Sequence, residues 1–424
     1  MRRTISVLIA LALLLVCARA ETYVINFEGG SLAVNEAGDA RIAVGQYERL
    51  SALYDDDGAL TGYAAGIQTE LGFRYALLSP EGEELTGFLH TSVMQAGERF
   101  ICAIGDSYRI LSSVGAPSFE EYAALAYAGN DRFIALSGNI NDEIADRLSV
   151  ILPDGTVESP GISVMHGLGA YSEGLMPICD GSGMKFGYID QTGDWAIAPE
   201  FVYAGDFESG YALVSTREGY GLIDREGNFV IDAVYDYMAR GAGCVIAQQA
   251  GRLYAFAVDA ESVRNTNESP LNGAYARVSG RHILLQSADA LRVMDIAGAL
   301  LFELPATASV VEAGEGFIVR DGDWAARSAY LADASGRAIS EPYNTIQPLD
   351  GAGGMFAYGI IDEDTREMRF GLMRADGGIA TEPQYRALAG LRAGLYFAQV
   401  DGAATLIDAA GAQIAAFPSP PGSL

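Results

Sequence analysis

Lysine, histidine, tryptophan and cysteine are all scarce in this sequence, and their scarcity limits the chemistry available to it. The 424 residues include 3 histidines, 2 tryptophans and 4 cysteines, and Lys185 is the single lysine among 27 basic residues. His90, His166 and His282 stand far apart, and no H-E-x-x-H, G-x-S-x-G, P-loop or G-x-G-x-x-G motif occurs. We therefore predict a non-catalytic protein with no cofactor and no metal site.

A disulfide framework is excluded by the number and spacing of the cysteines. Beyond the first twenty residues only Cys102, Cys179 and Cys244 remain, and none belongs to a C-x-x-C motif. Three cysteines cannot all pair within one chain. We expect buried free thiols, with one disulfide among the three as the alternative.

Positive charge is also deficient. The 27 basic residues face 55 acidic ones, which gives a formal net charge of −28. Such a surface repels phosphate backbones and anionic lipids, so nucleic acid and membrane surfaces are excluded as partners. The simplest role for the acidic residues is a solvated shell that keeps the protein dispersed.

The N-terminus has the pattern of a secretory signal peptide. Arg2 and Arg3 precede an apolar stretch that is too short to span a membrane, and residues 18–20 form an A-x-A cleavage site. We predict cleavage near Ala20 and a secreted or extracytoplasmic protein, with a lipid anchor on Cys17 as the less favoured alternative. No second long apolar stretch follows, so we expect no membrane span.

The chain is built from an internal repeat. A short apolar strand ends in a polar residue and is followed by a glycine, and such glycines stand at positions 38, 82, 115, 155, 193, 227, 298, 336, 377 and 411. Their spacing gives a period of about 37 residues, which is typical of propellers, solenoids and arrays. We predict an array of ten to eleven units over residues 21–416, after a signal peptide at 1–20 and before a disordered tail at 417–424.

Each unit has the chemistry of antiparallel hairpins. In the run from Tyr188 to Gly193, successive strand residues alternate between the two faces, an aspartate opens a turn, and the glycine takes positive φ. This predicts a type I turn with a following bulge. The fold class is therefore all-β, an array of antiparallel units that is propeller-like, with an open β-solenoid as the alternative. Ser118 and Glu121 resemble a helix capping box, but the repeat register favours a strand there.

Two units resemble the bacterial WG-repeat family in their motifs. Phe186-Gly187-Tyr188-Ile189-Asp190 and Tyr220-Gly221-Leu222-Ile223-Asp224 match the aromatic-Gly strand, and Pro199-Glu200-Phe201 matches its Pro-x-aromatic step. The clearest units lie at 166–240, and a weaker copy lies at 366–411. The resemblance implies an all-β repeat domain without assigned activity, and it carries no catalytic residue across.

The recurring polar and aromatic residues have two interpretations each. The aspartates act as metal ligands or as turn formers, and turn chemistry explains them separately: Asp190, Asp224, Asp295, Asp333 and Asp408. The aromatics line a sugar-binding face or pack in the core, and packing is the simpler reading: Phe186, Tyr188, Trp195, Phe201, Tyr220 and Tyr235. The acidic stretches at 54–58 and 321–324 are typical of solvated hairpin tips, because they lack the further ligands of a calcium loop.

These observations predict an exported binding or scaffolding protein at the cell surface, with a protein or a glycan as its partner. The alternative is a propeller-type glycan hydrolase that uses paired carboxylates, which folding would bring together from distant positions. Residues that vary between repeats are the first candidates for recognition: Lys185, Gln191, Thr192 and Asp194.

Overall fold

The computed structural model describes most of the chain: residues 22–27, 30–35, 38–118, 120–137, 146–260, 262–270, 274–321, 328–349, 354–362, 364–392, 394–400 and 403–418. The predicted signal peptide, including Cys17 and Ala20, lies outside the described residues. So do residues 419–424 of the predicted tail.

All regular secondary structure in the described residues is β-strand, which confirms the all-β prediction. The strands are rich in valine, isoleucine, leucine and aromatic residues, whose branched or flat side chains pack well on a pleated surface. In the part of the chain that is described, no helix is long and apolar enough to cross a membrane.

The described residues divide into two compact units. Unit 1 contains the residues up to Val93, residues 328–331 and the residues from Ala338 onward; unit 2 contains Met94–321 and Ala332–Arg337. Two strands contain points where the chain passes between units: β7 (Ser92–Ala96) and β32 (Ser328–Ala332).

The other strands of unit 1 are β1 (Thr22–Phe27), β2 (Gly30–Asn35), β3 (Ala40–Ile42), β4 (Arg49–Tyr54), β5 (Leu60–Thr69), β6 (Gly72–Leu78), β33 (Thr345–Leu349), β34 (Met355–Ile361), β35 (Met368–Arg374), β36 (Ala387–Arg392), β37 (Leu395–Val400), β38 (Ala403–Asp408) and β39 (Gln413–Pro418). They form small antiparallel sheets in chain order: β1–β3, β4–β6, β33–β35 and β36–β39.

The first strands of unit 2 are β8 (Arg99–Ile104), β9 (Ser107–Leu111), β10 (Ala124–Gly129), β11 (Arg132–Ser137), β12 (Asp146–Ile151), β13 (Val157–Glu158), β14 (Ser163–Met165), β15 (Met176–Asp180), β16 (Lys185–Ile189) and β17 (Trp195–Phe201). Strands β8 and β9 form a hairpin. Strands β10–β13 and β14–β17 are two meanders that a short β12–β14 pairing joins into one sheet.

The remaining strands of unit 2 are β18 (Tyr203–Glu208), β19 (Tyr211–Ser215), β20 (Tyr220–Ile223), β21 (Phe229–Tyr235), β22 (Tyr237–Gly241), β23 (Cys244–Gln249), β24 (Arg252–Asp259), β25 (Ser262–Pro270), β26 (Tyr275–Ser279), β27 (His282–Gln286), β28 (Ala290–Met294), β29 (Leu300–Pro305), β30 (Ser309–Ala313) and β31 (Gly316–Asp321). Strands β18–β21, β22–β25 and β26–β29 are four-stranded meanders, and β30 pairs with β31. Successive antiparallel meanders of this kind are the blades of propeller-like folds, as predicted.

The Asp-to-Gly hairpins have the predicted geometry. At the β16–β17 hairpin the Gly193 N–H donates to the Asp190 carbonyl at 3.0 Å, and the Asp190 N–H donates to the Asp194 carbonyl at 3.0 Å. Gly193 has a φ of 82°, and the strand register shifts beside the turn. Together these features form a type I turn followed by a glycine bulge.

In four of the described three-stranded repeats, a serine or threonine hydroxyl from the segment after the third strand accepts from a backbone N–H of that strand. At one of them the Thr381 hydroxyl accepts from the Leu372 N–H at 2.9 Å, in place of a backbone carbonyl. The equivalent pairs are Thr86 with Leu77, Ser118 with Ile110, and Ser340 with Leu331. Ser118 therefore caps a strand amide and no helix, in agreement with the repeat register.

Within each unit, neighbouring sheets share apolar cores. Within unit 1, the first sheet and the last share one core, in which Leu32 and Val34 pack with Phe397 and Leu406. Within unit 2, the turn glycine Gly193 lies directly on the core of the preceding meander. A single meander cannot bury both faces alone, so neighbouring meanders supply the missing partner.

The structure also bears on the cysteines and on the end of the chain. Cys102, Cys179 and Cys244 are all buried free thiols, and burial raises the pKa of each. Strand β39 continues to Pro418, past the predicted start of the tail at residue 417.

Candidate binding surface

The two ends of each meander differ in chemistry. In four antiparallel strands, the start of the first strand, the hairpin between the second and third, and the end of the fourth lie together. We call this the leading end, and we call the opposite end, with the Asp-to-Gly hairpin, the turn end.

The recurring carboxylates of the turn end are engaged by their own hairpins. Asp190 Oδ1 accepts hydrogen bonds from the N–H groups of Thr192 at 2.8 Å and Asp194 at 3.3 Å. Both bonds to the backbone recur at Asp224, Asp333 and Asp408, and Asp295 accepts the second of them, from the Ala299 N–H. Such bonds to the charged form lower a carboxyl pKa, and the pKa of Asp333 is lowered, chiefly by the Ser335 hydroxyl. The turn-former interpretation of these aspartates is confirmed.

The acidic stretch at 54–58 behaves in the same way. Asp55 Oδ1 accepts from the N–H groups of Asp57 at 3.1 Å and Ala59 at 2.8 Å, as a hairpin tip does. Among the described residues, no group of three or more histidine, cysteine, aspartate or glutamate side chains is arranged to hold a metal ion. Most of the stretch at 321–324 lies outside the described residues.

The three histidines lie in separate places. His90 is buried in the segment between β6 and β7, and His166 is exposed after β14 with a φ of 66°. His282 Nδ1 lies 2.9 Å from Glu312 Oε2, which joins β27 to β30 in unit 2. Glu312 Oε2 also accepts from the Arg281 N–H at 2.8 Å, so this contact fixes one hairpin against the next sheet.

The aromatic residues selected from the sequence divide into buried and partly buried groups. Tyr188 and Phe201 are fully buried, and the Tyr188 ring meets the Phe207 ring edge-on at 4.9 Å between centroids. The Tyr188 hydroxyl donates to the Gly205 carbonyl at 2.8 Å, and burial raises its pKa. Phe186 and Trp195 pack against the cores. For these residues the packing interpretation holds.

The glycine of the aromatic-Gly motif is required by a close approach of the backbone that follows the third strand. A Cβ on Gly187 would lie 2.6 Å from the Ile197 carbonyl oxygen and 2.8 Å from the Pro199 nitrogen. Gly221 and Gly371 meet backbone oxygens at 2.7 and 2.6 Å. Because real Cβ atoms do not come this close to backbone, only glycine fits the position without a shift.

The leading ends of three consecutive sheets carry a row of tyrosines that we call the tyrosine rim. Tyr203, Tyr237 and Tyr275 are each the first residue of the first strand, in β18, β22 and β26. Each pairs with the last or next-to-last residue of the second strand, so the three positions are equivalent. Tyr203 is 47% exposed and Tyr275 is 54% exposed, whereas Tyr237 is half-buried.

More tyrosines surround this row. The rings of Tyr237 and Tyr275 lie 6.5 Å apart between centroids, and burial together with the Tyr275 hydroxyl raises the pKa of Tyr237. Tyr235 lies edge-on to Tyr254 at 5.3 Å and pairs across the sheet with Tyr220. These contacts join the leading ends of neighbouring sheets at Tyr235 and Tyr237.

Amides lie beside the rings. Gln248 and Gln286 stand opposite the rim tyrosines of β22 and β26. Gln248 Nε2 donates to the Ala276 carbonyl at 3.4 Å, and Gln286 Nε2 donates to the Ala306 carbonyl at 3.0 Å. Asp236 Oδ2 accepts from a backbone N–H of the adjacent hairpin at 3.1 Å. Flat rings and anchored polar groups thus share one surface.

Sequence reasoning did not select Tyr203, Tyr237 or Tyr275. A signal was present, because Tyr203 follows Phe201 and Tyr237 follows Tyr235 at the same spacing after the fourth strand. The variable residues that were selected lie elsewhere. Lys185, Thr192 and Asp194 are exposed and Gln191 is half-buried, and the last three belong to the β16–β17 hairpin at the turn end.

Comparison with known families identifies part of this region. Residues 186–218 and 220–240 match the WG containing repeat, so this segment consists of WG repeats, as the motifs predicted. The match includes Tyr203 and Tyr237 of the tyrosine rim. No curated protein matches the chain.

Several solved structures resemble the chain at low sequence identity. A eukaryotic initiation factor has a TM-score of 0.41 and 9% identity, with coverage of 67% of this chain and 85% of that one. AztD from Citrobacter koseri has a TM-score of 0.30 and 14% identity, with coverage of 64% and 93%. Kluyveromyces lactis Hsv2p has a TM-score of 0.28 and 10% identity, with coverage of 66% and 95%. At these values the likenesses assign no function, and the fold of this chain rests on its own strand pairing.

Proposed function

We propose that this chain is an exported, non-catalytic binding or scaffolding protein that recognises its partner at the cell surface. The observation that carries the proposal is the tyrosine rim, where partly exposed rings repeat at equivalent positions of three sheets. Tyrosine supplies a large contact area at low entropic cost, and it is enriched where proteins bind partners.

The use of the carboxylates supports binding over catalysis. Hydrolysis of a glycoside needs two carboxyl groups that face each other across the substrate. The aspartates that recur in this chain instead accept backbone hydrogen bonds within their own turns, as at Asp190 and Asp408. The rim itself offers rings and amides, which are groups for holding a ligand, and the carboxylate beside them, Asp236, accepts a hydrogen bond from a backbone N–H.

Export is the second part of the proposal and rests on the N-terminal sequence. The full chain, expressed with its N-terminus intact in a secreting host, should appear outside the cytoplasm with a new N-terminus after Ala20. Intact residues 1–20 on the mature protein would contradict this.

The binding role is tested with the secreted chain on a glycan array and in a reducing-sugar assay, alongside crosslinking to isolated cell envelopes. We expect retention of the protein on a defined glycan or envelope protein, with no release of reducing ends. Release of reducing ends that increases with time and with the concentration of this protein would identify a hydrolase and refute the proposal.

A further inference from the structure

We propose that the tyrosine rim binds an uncharged polysaccharide, with each rim tyrosine stacking on one sugar of the chain. This inference rests on the proposed binding function and names its ligand class. Three features of the rim support it: the spacing of the rings, the polar groups beside them and the charge of the protein.

The rings form a repeated row. Tyr203, Tyr237 and Tyr275 hold the same position in consecutive sheets, and the ring planes of the last two are tilted by 46° with centroids 6.5 Å apart. A sugar with equatorial substituents presents a flat face of C–H groups, which fits the face of an aromatic ring. A polymer of such sugars repeats that face along its length, so a row of equivalent rings binds it at several points at once.

Polar groups beside the rings suit hydroxyl groups. Gln248 and Gln286 are half-buried and fixed by hydrogen bonds through Nε2, and Asp236 is fixed by a backbone N–H. Carbohydrate hydroxyls both donate and accept, so they pair with amides and carboxylates alike.

A protein partner fits this surface less well. The centre of a protein interface is depleted of charged residues. At the leading end of β18–β21, the hairpin between β19 and β20 presents Arg217 and Glu218, both exposed, and Asp236 lies in the bend between β21 and β22. Charged and polar groups interleave with the rings, which favours a hydrated ligand.

The charge of the protein selects among polysaccharides. At a formal net charge of −28, the surface repels polymers that carry carboxylate, sulfate or phosphate groups. An uncharged chain of sugars meets no such repulsion. The ligand class is therefore the uncharged polysaccharides of sugars with equatorial substituents, of which cellulose-type and chitin-type oligosaccharides are representatives.

The test is calorimetric titration of the full secreted chain with β-1,4-linked hexamers of glucose and of N-acetylglucosamine, and with oligogalacturonate as the anionic counterpart. We expect an uncharged hexamer to bind and the anionic oligomer not to bind. Tyr275→Ala and Tyr203→Ala should each weaken binding about tenfold, as loss of one aromatic stacking contact does. Tyr275→Phe keeps the ring and should retain most of the affinity.

Phe229→Ala is the matched control, because it removes an aromatic ring that is 39% exposed but lies at the turn end of β21. Its affinity should equal that of the wild type. Unchanged affinity in both tyrosine-to-alanine variants would overturn the inference, as would loss of affinity in Phe229→Ala of the same size. Circular dichroism of each variant confirms that the fold is retained.

The outcomes separate the inference from the proposed function. Binding of an envelope protein or of oligogalacturonate, with no binding of either uncharged hexamer, overturns the inference and leaves the binding function intact. Release of reducing ends from a hexamer overturns both.

Discussion

The turn glycines allow a test of how much contact between neighbouring meanders contributes to stability, because two of these glycines share a backbone conformation and differ in their surroundings. Gly155 has a φ of 86° and Gly193 a φ of 82°, and each closes a hairpin between a third and a fourth strand. A Cβ on Gly155 would meet nothing within 4 Å, whereas one on Gly193 would lie 2.6 Å from Val150 Cγ2. Alanine at the two positions therefore separates backbone strain from contact between meanders.

The expected magnitudes follow from these two terms. Positive φ costs an alanine roughly 1–2 kcal/mol, and this cost is common to both variants. Overpacking a well-packed core adds roughly 1–3 kcal/mol, and the core residues beside Gly193 are fully or almost fully buried. We expect Gly155→Ala to lower the free energy of unfolding by about 1–2 kcal/mol and Gly193→Ala by about 2–5 kcal/mol.

The assay is urea unfolding followed by tryptophan fluorescence in a Trp324→Phe background, in which the remaining tryptophan, Trp195, packs against the same core as Val150. A repeat chain of this length does not unfold in one step, so a local probe is required. The matched background is Val150→Ala, which removes the atom that a new Cβ would strike. There, Gly193→Ala should cost no more than Gly155→Ala. Equal losses for the two glycine variants in the wild-type background would refute the reasoning.

Three further predictions concern other sites. Gly187→Ala places a Cβ 2.6 Å from the Ile197 carbonyl oxygen and should lower the free energy of unfolding by about 1–3 kcal/mol. Gly87→Ala, whose Cβ has its nearest neighbour at 3.9 Å, should change the free energy of unfolding little. Equal thermal midpoints for the two variants would contradict this. Burial raises the pKa of the Cys244 thiol. A disulfide reagent at pH 8 should therefore label Cys244 only after denaturant is added. Rapid labelling of Cys244 in the folded protein would refute the burial argument. Asp333 has a lowered pKa, so its contribution to stability is present above the ordinary carboxyl pKa and is lost as pH falls through the pKa of the folded state. A carbon NMR titration should show that the midpoint of Asp333 rises in the Ser335→Ala variant. An unchanged midpoint would contradict the assigned cause.

The strands and hairpins were predictable because their determinants are local. The alternation before Asp190 and the glycine three residues later fix a strand and its turn, whatever lies beside them. At Ser118 local and repeat signals disagreed, and the repeat register gave the correct result. The reason is tertiary: the Ser118 hydroxyl accepts from the Ile110 N–H, on a strand earlier in the chain.

The candidate surface was not predictable in the same way. Tyr203 and Tyr237 share a spacing after the fourth strand, but that spacing does not show that their rings are more exposed than a core residue such as Tyr188. Their grouping depends on how the leading ends of successive sheets align, as the Tyr237–Tyr275 contact records. That alignment follows from the packing of whole meanders, which a pattern of residues within one repeat does not specify.

The shared core of the first and last sheets has a consequence for the order of folding. Leu32 and Val34 bury their side chains against Phe397 and Leu406, which come from the far end of the sequence. Contacts of such long sequence separation form late, because they close the largest loops. The core of strands β1–β3 is therefore complete only after β36–β39 have been synthesised and have packed against them. Until then their apolar face is exposed, and the newly made chain is vulnerable to aggregation or proteolysis at these strands.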